Sequence, residues 1–169
     1  RDFRRSRGLG DVYKSQELKG ENIFKGYWGM EEKTKESFKD DGFFITGDLA
    51  KKDENGYFTI VGRDKDMIIS GGLNVYPKEI EDVINELPNI TESAVFGVQH
   101  DDFGEAVVAA VVTTDDKNDG SQILDYTKDK IAKYKQPKKI IFMSNLPRNS
   151  MGKVQKNKLR ENNKSLFKS

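Results

Sequence analysis

The chain has 169 residues, enough for one ordinary domain or two small pieces, and its 34% charged content is balanced by compact runs rich in Phe, Tyr, Val and Ile that a disordered chain lacks. It has no cysteine, which excludes disulfides and thiolate metal sites, and its one histidine, His100, excludes a histidine-cluster metal centre. No apolar stretch approaches membrane-spanning length and RDFRRSRGLG lacks the apolar core of a signal peptide, so a soluble cytoplasmic protein without membrane partners is expected.

The net charge of +1 conceals an uneven distribution. Residues 131–169 carry 11 Lys or Arg and a single acidic residue, Glu161. Such a segment attracts phosphates or nucleic acid. It also reads as a solvated lysine-rich tail.

Residues 1–21 show no clear period and mixed charge, and read as poorly ordered or as the edge of something larger. NIFKGYWG (Asn22 to Gly29) suits strand and turn, and EEKTKESF suits one or two exposed helical turns. DGFFITGDLAKKDENGYFTIVGR predicts two strands joined by a turn at Asn55-Gly56, and KDMIISGG predicts another strand ending at Gly71-Gly72. The pattern then changes. In YPKEIEDVINELP, Ile80, Val83, Ile84 and Leu87 share one helical face, with Pro77 in the first turn and Pro88 at the end. ESAVFGVQH and GEAVVAAVVTT predict paired, buried strands. GSQILDYTKDKIAKY predicts a helix with Ser121 as its N-cap, KKIIFM a further strand, and QKNKLREN a short terminal helix.

The order implies an α+β class: a small domain with a β-hairpin and a three-stranded sheet packed with helices, preceded by the last strands of a larger domain. The expected division is residues 1–61, a linking stretch at 62–66, and 67–169. The first of these has too little apolar surface for a core by itself.

Three stretches carry chemistry. Asp48, in Thr46-Gly47-Asp48, can accept hydrogen bonds from the two hydroxyls of a ribose, or can be an ordinary turn aspartate. In GRDKDMIISGG, Arg63 can donate to a phosphate or ribose, and Lys65-Asp66 falls where backbone rotation is tolerated. Gly71 and Gly72 lack the Cβ that would hold a ligand away, although a charged hairpin with a flexible turn reads equally well. The spacing of a P-loop is absent. In LPRNSMGKVQKNK, Lys153 follows Gly152; an ammonium on a glycine-hinged loop can neutralise charge developing at a phosphorus or carboxyl oxygen, or can be one surface lysine among many.

Together, TGD, GRxKD, GGxNxxPxEIE, YKxP and LPRNxMGKVQK occur in the order and approximate spacing of the adenylate-forming acyl-CoA synthetases. The chain resembles that family from about residue 20 to residue 160, and its longer strings, such as DGFFITGDLAKKDENGYF, are most similar to malonyl-CoA synthetases. The resemblance implies a two-step ligase: carboxylate and ATP give an acyl-adenylate, then coenzyme A displaces AMP. It implies that Asp48 and Arg63 bind the ribose of ATP or AMP and that Lys65, with Asp66, is a hinge. It further implies that Ser70, Gly71 and Gly72 line the pantetheine path, and that Lys153 bridges α-phosphate and carboxylate oxygens during adenylation. Magnesium is expected with ATP in the complete enzyme, with no metal ligand on this chain. The family's phosphate loop, adenine pocket and acyl pocket lie on a large N-terminal domain that these residues do not contain, so the chain alone is expected to be inactive. Two other readings stay open. One is a stand-alone module that binds coenzyme A, a nucleotide or a protein without catalysis. The other, nucleic-acid binding by the tail, lacks interleaved aromatic residues and is not expected.

Overall fold

The computed structural model describes residues 14–115 and 119–168. They fall into two compact units, Arg1–Lys65 and Asp66–Ser169. The first part of the unpatterned 1–21 segment, residues 1–13, lies outside the described residues.

The first unit is built on three antiparallel strands, β1 (Lys14–Leu18), β2 (Phe44–Lys52) and β3 (Phe58–Arg63), in that order, with helix α1 (Glu31–Ser37) after the β1 strand in the chain. The turn between β2 and β3 closes where Asn55-Gly56 places it. Asp53 closes it from both ends: its amide donates to the Tyr57 carbonyl at 2.9 Å, and its carboxylate accepts from the Tyr57 amide at 2.8 Å. Two expectations are corrected. KSQEL is a strand although it has no apolar alternation, because pairing with β2 overrides a weak local preference. Residues 22–29 form turns and no strand; Phe24 there packs edge-on against Tyr27, Phe38 and Phe44. Among the described residues of this unit only Phe43, Leu49 and Ala50 are buried hydrophobics, while Trp28 is fully exposed.

The second unit contains β4 (Ile68–Ser70), β5 (Leu73–Val75), α2 (Pro77–Ile84), β6 (Ile90–His100), β7 (Gly104–Thr113), α3 (Ser121–Lys128), β8 (Lys139–Phe142) and α4 (Lys156–Asn162). The β6 and β7 strands form a long antiparallel hairpin, and β8 runs parallel to β7. The β4–β5 hairpin joins at Ser70 opposite Gly104, so the expected hairpin and three-stranded sheet become one five-stranded sheet.

The near-continuous apolar runs have a physical reason: both faces of this sheet are covered. Val95, Val107, Ala109 and Val111 point to one face, with Ile80, Ile84 and Ile123 from α2 and α3. Ala94, Phe96, Val98, Val108 and Ala110 point to the other, with Leu159 of α4 and Leu146. The α2 helix begins at Pro77 as predicted and carries Ile80, Val83 and Ile84 of the stripe, but it ends at Ile84, short of Pro88; Leu87 packs against the same core from the turn that follows. The α3 helix is shorter than predicted. Ser121 is its first helical residue rather than its cap; the Asp119 carboxylate accepts from the Ser121 amide at 2.9 Å and from its hydroxyl at 2.6 Å. Glu86 on the α2 side accepts from Tyr126 and Lys130, which holds its carboxyl below the usual range and raises the Lys130 ammonium. This strut ties α2 to α3.

Candidate functional site

Lys153 sits in a tight, internally bonded hairpin. The Gln155 amide donates to the Pro147 carbonyl at 2.7 Å, and Arg148 bridges Val154. The Asn149 amide donates to the Lys153 carbonyl at 3.0 Å, and the Gly152 amide to the Asn149 carbonyl at 2.9 Å. The Asn149 side-chain oxygen then accepts two amides, from Met151 at 3.1 Å and Lys153 at 2.9 Å. Gly152 has φ +78°, a left-handed conformation that closes such a turn and that glycine adopts without strain. The glycine therefore acts through turn geometry, and the loop is pinned where a glycine hinge was expected. The Lys153 side chain is exposed, and its ammonium has no hydrogen-bond or ion-pair partner among the described residues.

Both flanks of this hairpin are anchored. Arg148 donates to the Gly152 carbonyl at 2.6 Å and pairs with Glu92 of β6. Three residues beyond Lys153, the Lys156 ammonium lies 2.6 Å from Glu81 of α2, and both side chains are largely buried. The same Glu81 oxygen accepts the Val95 amide at 2.8 Å. It thereby satisfies an outward-pointing donor on the edge strand β6; Val95 is fully buried, so the amide would otherwise lack a partner.

Ser70, Gly71 and Gly72 belong to the β4–β5 turn. Ser70 pairs with Leu73, leaving Gly71 and Gly72 as a two-residue loop with φ of +58° and +79°. That is the left-handed pair of a type I′ hairpin, which glycine suits. A Cβ at either position meets no atom within 4 Å, so the turn is open on its outer side. The Gly71 amide donates to the Phe103 carbonyl at 2.8 Å, fixing the turn to the β6–β7 connection. Ser70 itself is buried, at 4% exposure.

In the first unit, Asp48 and Arg63 are cross-strand neighbours, and the Arg63 Nε lies 2.8 Å from an Asp48 carboxylate oxygen. Two separate candidates thus form one ion pair, where the last residue of β3 faces the middle of β2. The Asp48 amide donates to the Thr46 hydroxyl, which donates to the Gln16 carbonyl. Lys65 is exposed, and Asp66 accepts from Arg160 at 3.1 Å. His100, the last residue of β6, is half-buried between Phe103 and Phe167.

Sequence reasoning missed Arg148, Asn149, Glu92, Lys156 and Glu81. A local signal existed for Asn149, since Asn commonly bonds the backbone two residues on. The Glu92 and Glu81 partners lie 56 and 75 positions away along the chain and leave no local trace. A cavity of about 720 Å³ in the first unit, lined by residues including Tyr27, Thr34 and Phe38, contains none of the candidates. Among the described residues no group of three or more His, Asp or Glu could hold a metal ion, and no helix is long and apolar enough to cross a membrane.

Residues 79–153 match the AMP-binding enzyme C-terminal domain. The chain is 44% identical over 157 residues to the long-chain-fatty-acid–CoA ligase FadD13 of Mycobacterium tuberculosis, covering 93% of this chain and 30% of that protein. It is 42% identical over 145 residues to the mitochondrial medium-chain acyl-CoA ligase ACSF2 of Bos taurus, covering 85% and 24%. The chain thus spans less than a third of the length of the curated relatives it matches. Among solved structures, ATP-bound MatB from Rhodopseudomonas palustris superposes with a TM-score of 0.85 at 56% identity, covering 93% of this chain and 31% of that one. The o-succinylbenzoate-CoA synthetase MenE from Bacillus subtilis, in complex with its acyl-adenylate intermediate, superposes with a TM-score of 0.87 at 32% identity, covering 94% and 33%. The second unit therefore carries an AMP-binding enzyme C-terminal domain, and the chain corresponds to the C-terminal region of the adenylate-forming acyl-CoA ligases.

Proposed function

We propose that the chain acts as the mobile C-terminal portion of an ATP-dependent acyl-CoA ligase that takes malonate. The observation that carries this is Lys153: an exposed, unpaired ammonium at the end of a closed hairpin. In the first step a carboxylate oxygen attacks the α-phosphorus of ATP, and the bond to the β-phosphate breaks to release pyrophosphate. Negative charge moves between the carboxylate and phosphate oxygens, and a positioned ammonium stabilises that transition state. In the second step the sulfur of coenzyme A attacks the acyl carbon, and AMP leaves with the bonding electrons.

In this reading Asp48, already oriented by Arg63, binds the ribose hydroxyls. Lys65 and Asp66, at the join between the two units, form the hinge that lets Lys153 be delivered and withdrawn. The open outer side of the Gly71-Gly72 turn, next to Ser70, gives the pantetheine arm room. Residues for adenine, the γ-phosphate, its magnesium and the acid come from a large adenylation domain outside this sequence. Malonate is chosen on the likeness of DGFFITGDLAKKDENGYF and its neighbours to malonyl-CoA synthetases.

The second unit's two-sided core supports another reading, a self-standing module that binds coenzyme A or a nucleotide without catalysis. One experiment separates the two. The purified chain is assayed for AMP release with ATP, malonate and coenzyme A, alone and mixed with the large domain of a related ligase. Activity that needs both components supports the ligase reading. A folded chain that binds coenzyme A, yet adds nothing to the large domain, supports the module.

A further inference from the structure

We propose that Asn149 and Arg148 are positioning residues for Lys153: they preset the hairpin so that the lysine enters the adenylation site in one geometry. This rests on the ligase reading of Lys153. A flexible loop would have to order its backbone each time the lysine docks, and that ordering opposes docking. Here the order exists beforehand. The Asn149 side chain holds the amides of Met151 and Lys153, and its own amide holds the Lys153 carbonyl, so both backbone polar groups of Lys153 are fixed by one residue.

Arg148 fixes the hairpin from outside. One guanidinium nitrogen holds the Gly152 carbonyl and another holds Glu92, so the turn is referenced to β6 of the central sheet. Arginine suits this double role because its donors diverge in a rigid fork, which a lysine ammonium lacks. Neither residue is required to touch substrate. Their effect is on where the Lys153 ammonium arrives, and a displacement of about 1 Å in such a group can lower a rate by ~100-fold.

The test joins the chain to the large domain of a related ligase and measures the two half-reactions separately. Adenylation is read as malonate-dependent ATP–pyrophosphate exchange, and thioester formation is read from preformed malonyl-adenylate and coenzyme A. The variants are Asn149→Ala, Asn149→Ser and Arg148→Lys, with Lys153→Ala as reference. Asn149→Ala is expected to slow adenylation by about 100-fold while leaving thioester formation within about 3-fold of wild type. Its melting temperature should stay close to wild type, since the turn is at the surface. Asn149→Ser, whose neutral hydroxyl can accept the same amide, should recover at least about a tenth of the wild-type exchange rate. Arg148→Lys should lose about 10-fold in adenylation alone.

Equal loss in both half-reactions, or a loss that follows melting temperature across the variants, overturns the positioning role. If Asn149→Ala fails to fold, the serine and Arg148→Lys variants decide: adenylation unchanged in Arg148→Lys overturns the proposal. Lys153→Ala crippled with Asn149→Ala unaffected overturns this inference alone. Lys153→Ala with full exchange activity overturns the ligase reading and this inference with it.

Discussion

Arg160 Nη2 lies 3.1 Å from Asp66 Oδ1, and this pair ties the last helix to the first residue of the second unit. The two side chains are 30% and 22% exposed, so the interaction is partly shielded from water. Replacing Arg160 by Leu should destabilise the second unit by about 1 kcal/mol, near the upper end for incompletely buried pairs. Asp66→Asn should cost a similar amount, and the double variant should be less destabilised than the sum of the singles. Urea denaturation of the four proteins in the cycle measures that coupling. Strict additivity would show that the pair contributes nothing.

Lys156 and Glu81 are more deeply placed, at 17% and 14% exposure. Lys156→Met should leave the Glu81 charge half-paired in an apolar setting and cost roughly 2 kcal/mol, because removing one partner of a buried pair strands the other. Adding Glu81→Gln should recover most of the loss, since the amide oxygen can still accept the Val95 amide. Chemical denaturation of the single and double variants checks this. A double variant less stable than the single would contradict it.

The Gly71-Gly72 turn separates backbone geometry from ligand access. Because a Cβ meets nothing there, any penalty in the free protein comes from positive φ. Gly72→Asn should be nearly neutral for stability, whereas Gly72→Val should cost about 1–2 kcal/mol. If the turn also borders the pantetheine path, Gly72→Asn should raise KM for coenzyme A while leaving adenylation unchanged. Thermal unfolding and steady-state kinetics on the joined enzyme give the two readouts.

Asp119 gives a pH prediction. Hydrogen bonds from the Ser121 hydroxyl and amide hold its carboxyl below the ordinary value of 3.8. A carboxyl depressed in the folded state stabilises fully above its unfolded pKa and loses that contribution as pH falls through the folded one. Asp119→Ala should therefore lower the melting temperature at pH 7. The gap to wild type should narrow as pH drops below 3.8. A constant gap from pH 7 to pH 2.5 would show that the ionised carboxylate is not what the Ser121 hydrogen bonds stabilise.

The second unit was the more legible in sequence. Its β6 and β7 runs and the Ile80–Leu87 stripe carry their own period, and burial on both sheet faces agrees with that pattern. The first unit was less so: KSQEL became a strand only by pairing with β2, and NIFKGYWG has aromatic content that satisfies a cluster of rings rather than a ladder. Candidate residues could be chosen by type and spacing. Their supports could not, because Glu92 and Glu81 meet Arg148 and Lys156 only after the sheet and helices have assembled. The β4–β5 hairpin went half-seen for a local reason: LNV is too short to announce a strand.

The most direct measurement is AMP release by the chain recombined with a ligase large domain, in the presence of ATP, malonate and coenzyme A, for wild type and Lys153→Ala. The account predicts turnover for wild type and a fall of about 100-fold or more for the variant, the scale expected when a single charge-stabilising group is removed from a transition state. Equal turnover by the two chains would contradict it.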